Sequence, residues 1–315
     1  MSPSAKAGKR LPTDPSAKAK KWLPTDLESP SALSERALRR FLQACGALTV
    51  AVTIGIVVVL VTQAIGFFEV VPLSDFLGDT EWTPLFADNQ HFGIWPLVCG
   101  TLLTTVIAVL VALPLGLLIA IYLAELASAR TRSIAKPVLE LLAGIPTVVY
   151  GYFALVFVTP SLQEVIDDLA GFNALGAGIV MGFMILPIIA SLAEDALRAV
   201  PRGYREAGLA LGGTRLATLF RITLPAAASG ISAGVLLGIA RALGETMIVA
   251  IAAGKQPVMT FDPTVPIETM TAYIVDVANS ERPAGTVEQK TIFAVAIALF
   301  LMTLLMNVIA FRLKR

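Results

Sequence analysis

Two ionisable residues interrupt a long apolar run in the second half of the chain: Arg241 and Glu245, in the segment ARALGETM at 240–247. A guanidinium keeps its charge in any protein environment and forks two N–H donors onto an oxyanion. A carboxylate one helical turn on gives it a partner. The pair reads two ways, as an anion-binding site or as an internal ion pair that fixes helix packing. The readings are compatible if an anion transiently takes Arg241 from Glu245. At 100° per residue, Gly230, Gly234, Gly238, Arg241 and Glu245 fall within about 80° of one another on a helix. Such a small-residue stripe lets a neighbouring helix approach closely, which turns the charged pair toward protein or a cavity.

Other chemistries find no residues to carry them. One histidine, His91, and two cysteines, Cys45 and Cys99, assemble neither a metal ligand set nor a nucleophile–base pair. The topology below places the cysteines in opposite leaflets, whereas a disulfide needs Cα atoms within about 7 Å. No G-x-x-x-x-G-K-[ST] phosphate loop occurs, because Gly8-Lys9 and Gly254-Lys255 lack both the upstream glycine and the following hydroxyl residue. No catalytic residue, metal or cofactor is assigned to the chain, and a net charge of +1 does not point to nucleic acid.

The elements that must position the pair are membrane helices. Of 315 residues, 56% are hydrophobic and 15% charged, with mean hydropathy +0.77, too apolar for an ordinary soluble domain. A hydrocarbon core of ~30 Å takes about 20 apolar helical residues to cross. Six runs are predicted to do so, at 41–68, 97–126, 138–158, 174–192, 222–253 and 291–311. The predicted fold class is an all-α integral membrane protein, with residues 41–315 forming the six-helix domain. Pro114, Pro146 and Pro187 in the second, third and fourth helices each remove a hydrogen bond and predict kinks.

Residues 1–40 are polar and basic and carry a duplication, SAKAGKRLPTD at 4–14 and SAKAKKWLPTD at 16–26. They are predicted to form a disordered tail. A docking or lipid-binding tail is the sharper alternative, since Lys18, Lys20 and Lys21 flank Trp22. Further lysines and arginines concentrate in the 2/3 loop (Arg130, Arg132, Lys136), the 4/5 loop (Arg198, Arg202, Arg205, Arg215, Arg221) and the C-terminus. The 1/2 and 3/4 loops have none, and the 5/6 segment has only Lys255, Arg282 and Lys290. Positive residues stay inside, so both termini are expected in the cytoplasm. The 1/2 segment, with Glu69, Asp75, Asp79, Glu81 and Asp88 among Trp82, Phe86 and Trp95, suits an external lid. The proline-rich 5/6 segment is the other large external piece. Each either meets an external partner or is a solvated loop.

Between the fourth and fifth runs the chain reads PRGYREAGLALGGTRLATLFRITLPAA, at 201–227. A short helix over about 203–211 is predicted, ended by Gly212 and Gly213. Thr214 caps the next helix, and Pro225 breaks it at the membrane entry. This loop, 200–225, resembles the EAA signature of the permeases of binding-protein-dependent ABC importers: Glu-Ala-Ala, three residues, Gly, nine residues, Ile, one residue, Leu-Pro. Glu206, Ala207, Gly208, Gly212, Ile222, Leu224 and Pro225 stand at those places. The one departure is Gly208 for the second alanine, which loosens the helix by roughly 1 kcal/mol. The resemblance implies the type I ABC importer permease fold, with a cytoplasmic coupling helix seated in a groove of a separate ATPase. Glu206 would be its polar contact, Ala207 and Gly208 would permit close approach, and Gly212 would make the turn. The plain alternative is an ordinary basic loop.

Three further segments, GTLLTTVIAVLVALPLGLLIAIYLAE (100–125), GIPTVVYGYFAL (144–155) and ARALGETM (240–247), resemble the PstC family of phosphate importer permeases. The likeness runs from about residue 35 to the C-terminus. It implies an inner-membrane subunit assembled with a PstA-like second permease, a PstB-like ATPase dimer carrying ATP and Mg, and an external PstS-like phosphate-binding protein. Arg241 and Glu245 then line the substrate path, where Glu245 accepts a proton from a P–OH group that fully ionised sulfate lacks. Permeases for sulfate, molybdate or tungstate share the docking loop but not RALGET with GIPTVVYG. An ion-coupled secondary transporter is the reading from another class.

Overall fold

A computed structural model describes residues 32–86, 89–280 and 285–313. The duplicated stretch lies outside these residues, as do Asp88, Arg282, Lys314 and Arg315. Two compact units divide between Val58 and Val59. The described part of the first is the leading portion of helix α1 (Ala32–Phe68). That helix begins at Ala32 rather than at residue 41, so residues 32–40 continue it instead of belonging to the tail; Ala, Leu, Glu and Arg there are good helix formers. Its apolar residues, such as Leu48, Ile56 and Val59, are exposed, as suits a helix facing lipid.

The second unit follows as α2 (Leu73–Gly78), α3 (Trp95–Ile121), α4 (Ala129–Ala143), α5 (Thr147–Phe153), α6 (Thr159–Gln163), α7 (Ala174–Ala199), α8 (Arg202–Ala210), α9 (Arg215–Thr218), α10 (Leu224–Leu243), α11 (Met247–Ala252), α12 (Met270–Asn279) and α13 (Val287–Leu313). Among the described residues five helices are long and apolar enough to cross a membrane, and α4 with α5–α6 forms a sixth candidate bent by 86°. The third predicted helix is therefore not one kinked rod. Gly144 ends α4, and Pro146 is extended at ψ 135°, so the helix breaks over 144–146. Pro114 and Pro187, by contrast, lie inside helices that continue past them.

The fifth predicted run breaks as well. Helix α10 stops at Leu243, and α11 restarts at Met247. Before α10, residues Leu219–Thr223 form a π-helical turn that leads into Pro225. Pro225 brings no N–H for the carbonyl four residues earlier, and the wider register absorbs that loss. A second π-helical segment, Tyr122–Leu126, ends α3.

Helix α7 is the central rod, packed on α3 and α10 through small residues. A Cβ at Gly178 would meet Ile107 at 2.7 Å, and one at Gly182 would meet Val111 at 2.8 Å. On the other side, Cβ atoms at Gly230, Gly234 and Gly238 would meet Ala196, Leu192 and Ile189 at 2.5, 2.8 and 2.8 Å. The stripe predicted on α10 is thus the surface on which its backbone lies against α7.

Part of the 5/6 segment packs into the helical body instead of lying free as a solvated loop. The Ile267 N–H donates to the Ala253 carbonyl (2.9 Å), that of Ala170 to Thr264 (3.0 Å) and that of Leu175 to Pro263 (2.8 Å). Ile267, Glu268, Thr269 and Met270 are buried. The prolines leave few donors to satisfy, which lets an irregular segment fold back into the helical body.

Candidate functional site

The break between α10 and α11 brings the sequence-predicted pair together and gives its two members different partners. Arg241 Nη1 donates to Glu245 Oε2 at 2.8 Å. Glu245 Oε1 accepts from the backbone N–H groups of Met247 (3.1 Å) and Ile248 (3.4 Å), so its side chain caps α11. The Glu245 side chain is 2% exposed and that of Arg241 is 42% exposed. Both carboxylate oxygens are committed, whereas the guanidinium spends one donor of five on an ion pair among the described residues. The arginine is the half of the pair with capacity to bind something else.

Next to this break, Thr271 Oγ1 donates to the Glu245 carbonyl at 2.6 Å and exchanges a hydrogen bond with Thr269 Oγ1 at 3.1 Å. Thr269 caps α12, and the Met270 N–H donates to Thr101 Oγ1 of α3 at 3.0 Å. Lys255, just after α11, pairs with Asp276 of α12 at 2.6 Å. Glu268 lies buried immediately before the Thr269 cap.

At the other end of α10, the 201–227 loop has the predicted form of helix, turn, helix. Helix α8 ends at Ala210, Gly212 takes φ +81°, and the Gly213 N–H returns to the Gly208 carbonyl at 3.1 Å. Thr214 Oγ1 accepts from the Ala217 N–H at 3.2 Å and caps α9. Glu206 and Ala207 are exposed, and Gly208 is buried against Thr218 and Ile222. Leu224 packs on the cluster of Ala120, Ala193 and Leu197 at the ends of α3 and α7. Gly208 is thus the close-approach residue within this loop, and Glu206 with Ala207 form its free face.

Two groups of residues here escaped the sequence reading. Arg205 donates to Glu125 Oε1 (2.8 Å), the Leu197 carbonyl (2.7 Å) and the Val200 carbonyl (3.3 Å), tying α8 to the ends of α3 and α7. A cleft of about 240 Å³ beside this staple is lined by Ile121, Glu125, Arg205, Leu209, Leu216 and Thr218 among others. Glu194 of α7, 1% exposed, meets Lys136 at 2.9 Å and Arg132 and Arg198 at 3.5 Å each, and Lys136 also reaches Asp195 at 2.6 Å. The available signal was a carboxylate at the end of an apolar run in each case, with basic partners 58 and 80 residues away on α4 and α8.

An all-helical membrane body with this helix–turn–helix loop defines the class of transmembrane subunits of ABC importers. A family model described as the binding-protein-dependent transport system inner membrane component matches residues 112–315, and the chain belongs to that family. It is 32% identical to the probable ABC transporter permease protein YqgH of Bacillus subtilis, over 87% of this chain and 88% of that protein. It is 33% identical to the phosphate transport system permease protein PstC of Xylella fastidiosa, over 75% and 76%. It is likewise 33% identical to PstC 1 of Mycobacterium tuberculosis, over 79% and 84%. Among solved structures, a bacterial ABC transporter involved in alginate import aligns with TM-score 0.60 and 16% identity, over 90% of this chain and 99% of that one. The MetNI methionine transporter aligns with TM-score 0.51 and 19% identity, over 71% and 93%. These structures share the fold.

Proposed function

We propose that this chain is the permease subunit of an ATP-driven importer of inorganic phosphate, and that Arg241 is its anion contact. The observation that carries the reading is a half-exposed guanidinium at a helix break, held by one fully committed carboxylate, in a chain similar to phosphate permeases. Four donors remain for phosphate oxygens, and a charged group of this kind is retained in a membrane helix because it works there. Glu245 holds the guanidinium and caps α11, so the break keeps its shape when the arginine turns to substrate.

The chain makes and breaks no covalent bond. On this reading the arginine-rich loops and both termini face the cytoplasm of a bacterial inner membrane. The free face of Glu206 and Ala207 then meets a PstB-like ATPase dimer that binds ATP and Mg. A PstA-like subunit completes the path, and a PstS-like protein delivers phosphate from outside. ATP-driven closure moves α8, and Gly208, Gly212, Ile222, Leu224 and Pro225 pass that motion into α10.

The test is uptake of labelled phosphate into proteoliposomes holding the complete complex with ATP inside. Wild type is expected to import phosphate, with unlabelled phosphate competing and sulfate and molybdate not. Arg241→Ala removes one charge-assisted contact and should lower kcat/KM about 10- to 100-fold. Glu206→Lys should abolish ATP-dependent uptake. Competition by sulfate or molybdate would transfer the assignment to another oxyanion. Uptake that persists without ATP, or normal uptake by both variants, would overturn it.

A further inference from the structure

Glu268 is a carboxyl group placed by its surroundings and left without a partner. Its residue is 6% exposed, yet among the described residues its carboxyl makes no hydrogen bond and no ion pair. The backbone on each side is fixed. Ile267 donates to the Ala253 carbonyl at 2.9 Å, Met270 donates to Thr101 Oγ1 at 3.0 Å, and Thr269 caps α12. The Glu268 carbonyl lies directly on α3 at Gly100, where a Cβ would stand 2.3 Å from its oxygen. A buried polar side chain in so rigid a frame costs free energy unless something pairs with it.

Its position links the two charged pairs already described. Through Thr269 and Thr271 it adjoins Glu245, and so the α10–α11 break that carries Arg241. On its other side Lys255 and Asp276, paired at 2.6 Å, are close enough to act on its charge. The facing end of α3 contributes one titratable group, Cys99, whose Sγ donates to the Thr260 carbonyl at 3.0 Å. No arginine or lysine reaches Glu268 within salt-bridge distance among the described residues. An ionised carboxylate here would repel an approaching anion, while a carboxylic acid would offer it an O–H donor.

We infer that Glu268 is a substrate-contacting residue of the permeation path, which donates its acid O–H to a phosphate oxygen on the way to Arg241. This rests on the phosphate-importer reading and deepens it. Burial foremost, with the nearby Asp276 carboxylate, raises the Glu268 carboxyl to about 8 against the opposing pull of Lys255. The donor is therefore present at neutral pH and lost on going alkaline. No proton needs to leave Glu268, and the contact acts by hydrogen bonding alone. An acid that donates favours an oxyanion over a halide and excludes anions at high pH.

The experiment measures initial phosphate uptake from pH 6 to pH 10 outside the proteoliposomes, for the complete wild-type complex and for Glu268→Gln. Above pH of about 8, wild-type kcat/KM should fall about tenfold per unit beyond the change that phosphate's own ionisation imposes on both proteins. Glu268→Gln, which cannot ionise, should lack that fall. Infrared difference spectra of the wild-type complex, with and without phosphate, should show a shifted protonated-carboxyl C=O band that is missing in the variant. If the variant fails to assemble, the wild-type spectrum decides: a phosphate-dependent band supports the inference, and its absence overturns it. Wild-type uptake with superimposable pH profiles for both proteins overturns this inference alone. Wild-type complex that imports no phosphate removes the importer reading along with it.

Discussion

Restoring the signature alanine at position 208 is expected to weaken the loop rather than to firm it. On propensity alone Gly→Ala within a helix gains about 1 kcal/mol. Gly208, however, faces two neighbours: a methyl built there falls 2.8 Å from Ile222 Cδ1, 2.8 Å from Thr218 Cγ2 and 3.0 Å from Thr218 Oγ1. Ile222 Cδ1 is the tip of a flexible chain and can move aside. Thr218 is β-branched, helical and 5% exposed, so its close-packed surroundings leave it little room to move aside. Overpacking against a fixed neighbour costs roughly 1–3 kcal/mol, which exceeds the propensity gain and leaves a net loss of about 1 kcal/mol. Thermal unfolding of the purified subunit should register this as a drop of about 2–4 °C. The double variant Gly208→Ala/Thr218→Ala isolates the clash: with the threonine gone, alanine at 208 should become neutral or stabilising, giving a coupling of about 1–2 kcal/mol between the sites. A Gly208→Ala protein that melts above wild type, with no coupling to position 218, would refute the packing account.

Two other perturbations bear on the same end of the molecule. Arg205→Ala removes one ion pair and two carbonyl contacts that are partly exposed, a loss of about 2 kcal/mol after solvent screening; in the reconstituted complex it should lower phosphate imported per ATP hydrolysed severalfold, and an unchanged ratio would mean the staple does not transmit motion. Glu194→Gln leaves Arg132, Lys136 and Arg198 crowded without their buried counter-charge and should destabilise the subunit by roughly 3 kcal/mol, read as a lower melting temperature that high salt partly restores by screening the exposed cations.

What the sequence made legible follows from the physics that each feature obeys. The spans are announced by apolar length, the loop by its glycines and Thr214, and the α10 interface by glycines at four-residue spacing. The break at 144–146 was legible only as a proline, because Pro114, Pro146 and Pro187 look alike in a hydropathy pattern. What separates them is Gly144, which ends α4 just before the extended Pro146. The break at 244–246 is hidden because apolar residues continue on both sides, and what restarts the helix is a side chain, Glu245, accepting from the N–H groups of Met247 and Ile248. Glu268 was invisible for a different reason. A proline-rich stretch reads as solvated loop, and nothing local in it says that Ile267 returns to Ala253 and that Gly100 awaits the next carbonyl.

Helix α10 joins the two regions that the function must connect. Its 20 residues span ~30 Å, with the π turn and Pro225 at one end and Arg241 near the other. Along that length it meets α7 through three glycines, whose notches take Ala196, Leu192 and Ile189 of α7 and let the two backbones run close. Glu245 is tied to α10 by its N–H, which donates to the Ala242 carbonyl at 3.1 Å, but more of its bonds lie across the break: its carboxylate caps α11, and its carbonyl is held by Thr271, whose segment is bonded to Thr101 of α3. Arg241 rides on α10. The 2.8 Å ion pair therefore bridges two bodies, and on the transport reading a shift of α10 driven from the loop would strain this contact first. On the same reading Arg241 is held by its glutamate in one state and released to phosphate in another, with no rearrangement of the glutamate itself.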